Sequence, residues 1–173
     1  MHSIPDRLNS CKIMRQTGEI MQTQKIDQND VKDFLESWAE GIIAIGSNYS
    51  KGDDYREKAI SFLKKHYAFA HDEVLFKPTF TNEILFRNDF DSALSYFIGG
   101  DISEDSGFAI RPWKKIELIE SNFIIDNSTN AVMGALALLP FDDEKITKIA
   151  FTFILAIYDN HIKIRVHHSS PLK

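Results

Sequence analysis

The last β-prone run of the chain ends in His167-His168-Ser169-Ser170, and these residue types at this spacing could do proton chemistry. An imidazole titrates at about 6.5 when unperturbed, so it can take and return a proton near neutral pH. A hydroxyl two residues along the same strand can orient a small substrate beside it. Side chains alternate between the faces of a strand, so Ile162, Ile164, Val166, His168 and Ser170 share one face and Lys163, Arg165, His167 and Ser169 the other. The apolar set belongs against the core. His168 and Ser170 are therefore expected to point inward, and His167 and Ser169 outward or toward a partner subunit. Adjacent histidines that point apart are poorly placed to ligate one metal. His168 also has an ordinary reading, as a buried histidine satisfied by a carbonyl or a carboxylate.

Two further hydroxyls have the same double reading. Thr79, after Pro78, either finishes a strand or presents its hydroxyl to a pocket, and Tyr96 is a core aromatic whose phenol needs a partner or reaches a pocket mouth. Other chemistries lack their motifs: there is no glycine-rich phosphate loop, His-Glu-x-x-His, nucleophile elbow or calcium loop. Gly99-Gly100 reads as a helix stop and Asp101, Glu104 and Asp105 as a solvated loop. His66 and His71 read as incidental loop histidines, and Phe123, Phe151 and Phe153 as core or interface.

The elements that must position these residues follow from periodicity. Val31, Phe34, Leu35, Trp38, Ile42 and Ile45 recur every three or four residues, which predicts a helix from a cap at Asp27 or Asn29 to about Asn48. Gly41 and Gly46 within it suggest close packing on a sheet. A second helix, capped by Asp53 or Asp54, carries Tyr55, Ala59, Phe62 and Leu63 and ends near Tyr67. A short strand from Glu73 to Thr79 and a third helix through Phe90, Ala93, Leu94 and Phe97 follow. Four β-rich runs come last, Trp113–Ile125, Ala131–Leu139, Lys145–Tyr158 and Ile162–Ser170, separated by turn-forming groups. Helices first and a long-stranded meander afterwards predict an α+β domain in which a curved antiparallel sheet wraps its helices into a cone with a pocket at its mouth.

The whole chain suits one such domain. Its 173 residues are 43% hydrophobic and 26% charged, the balance of a globular protein. A net charge of -5 with scattered Lys and Arg argues against nucleic acid, and no apolar run has the length of a signal peptide or a membrane span. The single cysteine, Cys11, makes neither an intrachain disulfide nor a multi-thiolate zinc site, which suits a cytoplasmic protein. Residues 1–25 are read as a partly disordered extension, with Met14 or Met21 as alternative starts, and 26–173 as the domain.

With these motifs placed, the chain resembles the nuclear-transport-factor-2-like (SnoaL-like) superfamily, from about Ile26 to Leu172. Trp38 with Gly41-Ile42-Ile43-Ala44-Ile45-Gly46, Leu75-Phe76-Lys77-Pro78-Thr79 and Ala93-Leu94-Ser95-Tyr96-Phe97-Ile98-Gly99-Gly100 carry a narrower resemblance. With them go Gly107-Phe108-Ala109-Ile110-x-Pro112-Trp113 and the closing His167-His168-Ser169-Ser170. Together these resemble the branch that includes the metal-free iota-class carbonic anhydrases. The resemblance implies reversible hydration of carbon dioxide to bicarbonate, without metal or cofactor. It also implies a pocket built from a threonine, a tyrosine, and a histidine and serine two apart on the last strand. By motif these fall on Thr79, Tyr96, His168 and Ser170. The sheet also resembles the association domain of calcium/calmodulin-dependent protein kinase, although Val166 stands where that domain's last strand has its first histidine. A homodimer or higher homo-oligomer through the sheet is expected. Three alternatives stay open: a non-catalytic binding or oligomerisation module, a metal-dependent variant using His168 with a nearby carboxylate, and a small-molecule isomerase or hydrolase, which calls for a deeper apolar pocket with a central carboxylate that the sequence does not single out.

Overall fold

The computed structural model describes residues 25–173; Cys11 and the N-terminal extension lie outside the described residues. Helix α1 (Gln28–Lys51) begins at a capping box, with the Asp27 carboxylate accepting from the Asn29 and Asp30 amides and the Asp30 carboxylate accepting from the Asp27 amide. Its apolar stripe is buried as the periodicity predicts: Val31, Phe34, Leu35, Trp38, Ala39, Ile42 and Ile45 face the interior. Helix α2 (Tyr55–His66) is capped by Asp54 and packs antiparallel to α1 as a hairpin. The two glycines of α1 admit other neighbours than a sheet. A Cβ on Gly41 would meet the Phe62 ring of α2, and one on Gly46 would lie 2.8 Å from the Ala109 carbonyl in the segment before the meander.

Strand β1 (Leu75–Lys77) and helix α3 (Phe90–Ile98) precede the long strands β2 (Trp113–Ile125), β3 (Asn130–Pro140), β4 (Thr147–Tyr158) and β5 (His161–Pro171). The sheet order is β1-β5-β4-β3-β2. β2 to β5 form the expected antiparallel meander, but β1 lies parallel on the free edge of β5, so the sheet is mixed rather than wholly antiparallel. No hairpin joins β1 to β5. Its direction is set by α2, whose end delivers Tyr67 into a parallel bridge with Ile164, where the Ala68 amide donates to the Ile164 carbonyl at 3.0 Å. One face of the sheet closes over the helices around Trp38, Phe62, Phe76, Phe97, Phe151 and Phe153. Large side chains of this kind are worth roughly 1.5–3 kcal/mol each on full burial. Among the described residues no helix is long and apolar enough to cross a membrane.

The pairing of β4 with β5 contains one irregularity that decides the direction of every polar residue at the end of the chain. Leu155 pairs with Ile164 and Ile154 with Val166, so Arg165 is the unpaired residue of a β-bulge. Strict alternation stops there and restarts in the opposite phase. His167 and Ser169 turn inward and are buried, while His168 is exposed and Ser170 half-buried on the outer face. The inward expectation for His168 and Ser170 is thereby corrected. Counting by twos from Ile164 gave the wrong face because the count crossed a residue that takes no partner.

Candidate functional site

Thr79 follows β1 and sits beside Ser169 of β5, their hydroxyl oxygens 2.5 Å apart and both buried. Pro78 ends the strand directly before Thr79, and the parallel register of β1 on β5 brings the two hydroxyls together. Tyr96, on the last turn of α3, is 5% exposed, and its hydroxyl makes no hydrogen bond among the described residues. Thr79 and the Phe80 backbone lie beside that hydroxyl without reaching hydrogen-bonding geometry. Burial raises its pKa above the ordinary phenol value, so the group remains a proton-bearing donor. Thr81 Oγ1 is buried and equally unpartnered.

Thr79, Thr81 and Tyr96 line a pocket of about 530 Å³, which Lys77, Phe80 and Phe108 help to form. Buried hydroxyls are rarely left without a partner, and two such donors belong to residues that line this pocket, where a water or a polar guest would satisfy them. Of the expected site residues, the structure brings Thr79 and Tyr96 together and leaves His168 and Ser170 on the other face of the sheet. Ser169 takes the place expected for Ser170. Thr81 carried no sequence signal, since a threonine in a polar loop looks like any other until its hydroxyl is found buried.

His167, the inward histidine, is enclosed by aromatic rings. It stacks on Phe76 at 4.6 Å between ring centroids and meets Phe153 edge-on at 4.6 Å. The indole of Trp38 donates to the Tyr67 hydroxyl at 3.3 Å, and that hydroxyl lies 2.9 Å from His167 Nδ1. Because the Tyr67 oxygen already accepts from Trp38, its own proton is directed to Nδ1, which places the proton of the neutral ring on Nε2. Burial first, with His168 and Lys77 adding to it, lowers the imidazole pKa to about 3. His167 is therefore neutral at physiological pH. Phe76 also meets Tyr96 edge-on, so its ring touches both the imidazole and the phenol.

The acidic loop is a structural clamp rather than a solvated turn. Asp105 pairs with the fully buried Arg87 through both Nε, at 3.1 Å, and Nη2, at 2.7 Å. Glu104 accepts from Arg87 and from the amides of Asn82, Glu83 and Ile84. The clamp ties the loop bearing Thr81 to the segment after α3. His66 also differs from its expected place: it lies in the last turn of α2, buried, with Nδ1 donating to the Phe62 carbonyl at 3.0 Å and Nε2 accepting from the Ser37 hydroxyl at 3.1 Å. Burial lowers its pKa to about 4. Among the described residues no three His, Cys, Asp or Glu side chains converge as a metal-ligating group.

Residues 29–171 match the family of metal-independent carbonic anhydrases. A protein of that description from Nostoc sp. is 31% identical over 152 residues, 84% of this chain and 73% of the relative. The crystal structure of the iota-carbonic anhydrase from a cyanobacterium, complexed with bicarbonate, superposes with a TM-score of 0.79 at 28% identity, covering 86% of this chain and 94% of that one. A protein from Xanthomonas campestris assigned as a calcium/calmodulin-dependent protein kinase II association domain has a TM-score of 0.57 at 14% identity, covering 87% and 95% of the two chains. That last likeness shows the fold alone.

Proposed function

The chain belongs to the metal-independent carbonic anhydrase family, and on that premise we propose that Thr79, Ser169 and Tyr96 form the centre at which it hydrates carbon dioxide to bicarbonate. The observation that carries the assignment is the buried, partnerless hydroxyl of Tyr96 facing the pocket beside the Thr79–Ser169 pair. In the reaction a water oxygen bonds to the carbon of carbon dioxide, one C=O electron pair moves onto oxygen, and the water gives up a proton. Bulk water has a pKa of about 15.7, so donors already aimed at the developing charge must lower the barrier. Tyr96 donates to the forming carboxylate oxygen, while Thr79 and Ser169 pass one hydrogen bond between them and orient the water with the other. His167 holds the inner end of β5 through Tyr67 and Trp38 and remains neutral. The proton leaves through the open pocket rather than through that imidazole.

Stopped-flow carbon dioxide hydration tests the assignment. Thr79→Val and Ser169→Ala should each lower kcat/KM roughly ten- to a hundredfold, the cost of removing one hydrogen bond at a buried polar site. Ser170→Ala should retain the wild-type rate. A large loss in Ser170→Ala with Ser169→Ala unaffected would reverse the assignment of faces.

The outer face of the sheet supports a homodimer. Ile124, Ala131, Ile154, Val166 and Leu75 are lateral partners in one row across all five strands, and Ile124 is 61% and Leu75 56% exposed. A continuous apolar row of this kind is an interaction surface, and a second copy offers the same row. A cytoplasmic location accords with a single cysteine in 173 residues.

A further inference from the structure

We infer that Lys77 is the anion-holding group of this pocket, the residue that distinguishes bicarbonate from neutral carbon dioxide; the inference rests on the proposed reading of the site. Lys77 contributes the one cationic side chain among the described residues that line the pocket. The carboxylates of Glu104 and Asp105 also line it and share the one guanidinium of Arg87 at 3.0 and 2.7 Å, which leaves one negative charge beside the pocket and makes Lys77 the cation that offsets it. Among the described residues Lys77 has no carboxylate partner. Its ammonium donates to the Ser169 carbonyl at 3.0 Å, which anchors it next to the Thr79–Ser169 pair. An ammonium has three donors, so two remain for a guest.

The position suits an anion with several acceptor oxygens. Lys77, two residues before Thr79, is the third residue of β1 and the lateral partner of His168, so its stem starts on the outer-face side of the strand, and its ammonium lines the pocket where it bonds the Ser169 carbonyl. The Tyr96 and Thr81 hydroxyls of the same pocket lining have no partner among the described residues and can donate. A planar carboxylate of charge -1 can take all of these donors, whereas carbon dioxide offers no net charge to the ammonium. The charge on Lys77 therefore acts on bicarbonate and on the transition state leading to it, and hardly on carbon dioxide.

Bicarbonate binding, measured by line-broadening of ¹³C-labelled bicarbonate, tests this without relying on turnover. Lys77→Met should weaken binding roughly ten- to a hundredfold, the loss of one charge-assisted hydrogen bond, and Lys77→Arg should restore most of it. The two kinetic directions give a second readout. The solution equilibrium fixes the ratio of hydration to dehydration kcat/KM, so Lys77→Met must lower both by one factor. The KM for bicarbonate should rise while that for carbon dioxide stays put. Unchanged bicarbonate binding in Lys77→Met would overturn the inference, as would a KM for carbon dioxide that rises equally, because that is the mark of a distorted pocket. Wild-type protein that binds bicarbonate but hydrates carbon dioxide no faster than buffer would sink the catalytic reading alone, and the binding comparison would still decide Lys77.

Discussion

His167 and His66 both give up their positive charge on folding, with pKa values lowered from 6.5 to about 3 and about 4 by burial. In the unfolded chain each takes a proton below about 6.5. Between roughly pH 6.5 and pH 4 the unfolded state thus binds more protons than the native state, so stability must fall as pH falls through that window. Each histidine contributes a slope of up to about 1.4 kcal/mol per pH unit. Urea midpoints between pH 7 and pH 5 should show the decline, and His167→Gln should remove about half of it; an undiminished slope would mean that the ring is protonated in the native state. The same burial argues that His167 is a support for β5 and not a proton carrier. Hydration rates should accordingly keep no titration near pH 6.5 that His167→Gln abolishes.

At the scale of the element, one unpaired residue governs the site. Arg165 is bulged, and its contact with Asp72 at 3.2 Å is solvent-exposed and contributes little. Deleting Arg165 would make Ile164 and Val166 neighbours and leave Ile164, His167 and Ser169 on the inner face by plain alternation. The deletion is expected to fold at a cost of about 1–3 kcal/mol. Inserting an alanine between Val166 and His167 would turn His167 and Ser169 outward and should abolish cooperative unfolding in urea. Equal tolerance of both changes would show that the bulge does not set the phase. Gly134 of β3 is a second point of control: a Cβ there would lie against the Glu120 carbonyl and 2.9 Å from the Phe151 ring. Gly134→Ala should therefore cost about 2 kcal/mol or more by overpacking, read as a lower thermal midpoint.

At the scale of the molecule the two faces of the sheet divide the labour. The inner face closes the core and presents Ser169 to Thr79, while the outer face carries the apolar row together with Met133 and His168. Ile154→Glu, in the middle of that row, should convert a dimer to a monomer in sedimentation velocity, because a buried unpaired charge costs several kcal/mol. A wild type that sediments as a monomer would refute pairing through the sheet.

The sequence by itself determined the α+β class, the helix faces and the strand limits of β2, since the helices carry a period of three to four residues and β2 is a β-rich run bounded by turn-forming groups, and neither needs a partner to be read. Its motifs also pointed to Thr79 and Tyr96, although Ser169, the partner of Thr79, lies 90 residues along the chain and is found only in space. The closing strand was legible in composition but not in direction. His-x-Ser fits His167 with Ser169 as well as His168 with Ser170, and only the pairing with β4 shows where alternation breaks. Tertiary structure likewise decided the parallel edge of β1, the Arg87 clamp on Asp105 and the orphaned Thr81 hydroxyl. Each of these depends on what lies across space from a residue, and a bulge, a buried ion pair and an unmet hydroxyl leave no period in the chain to be counted.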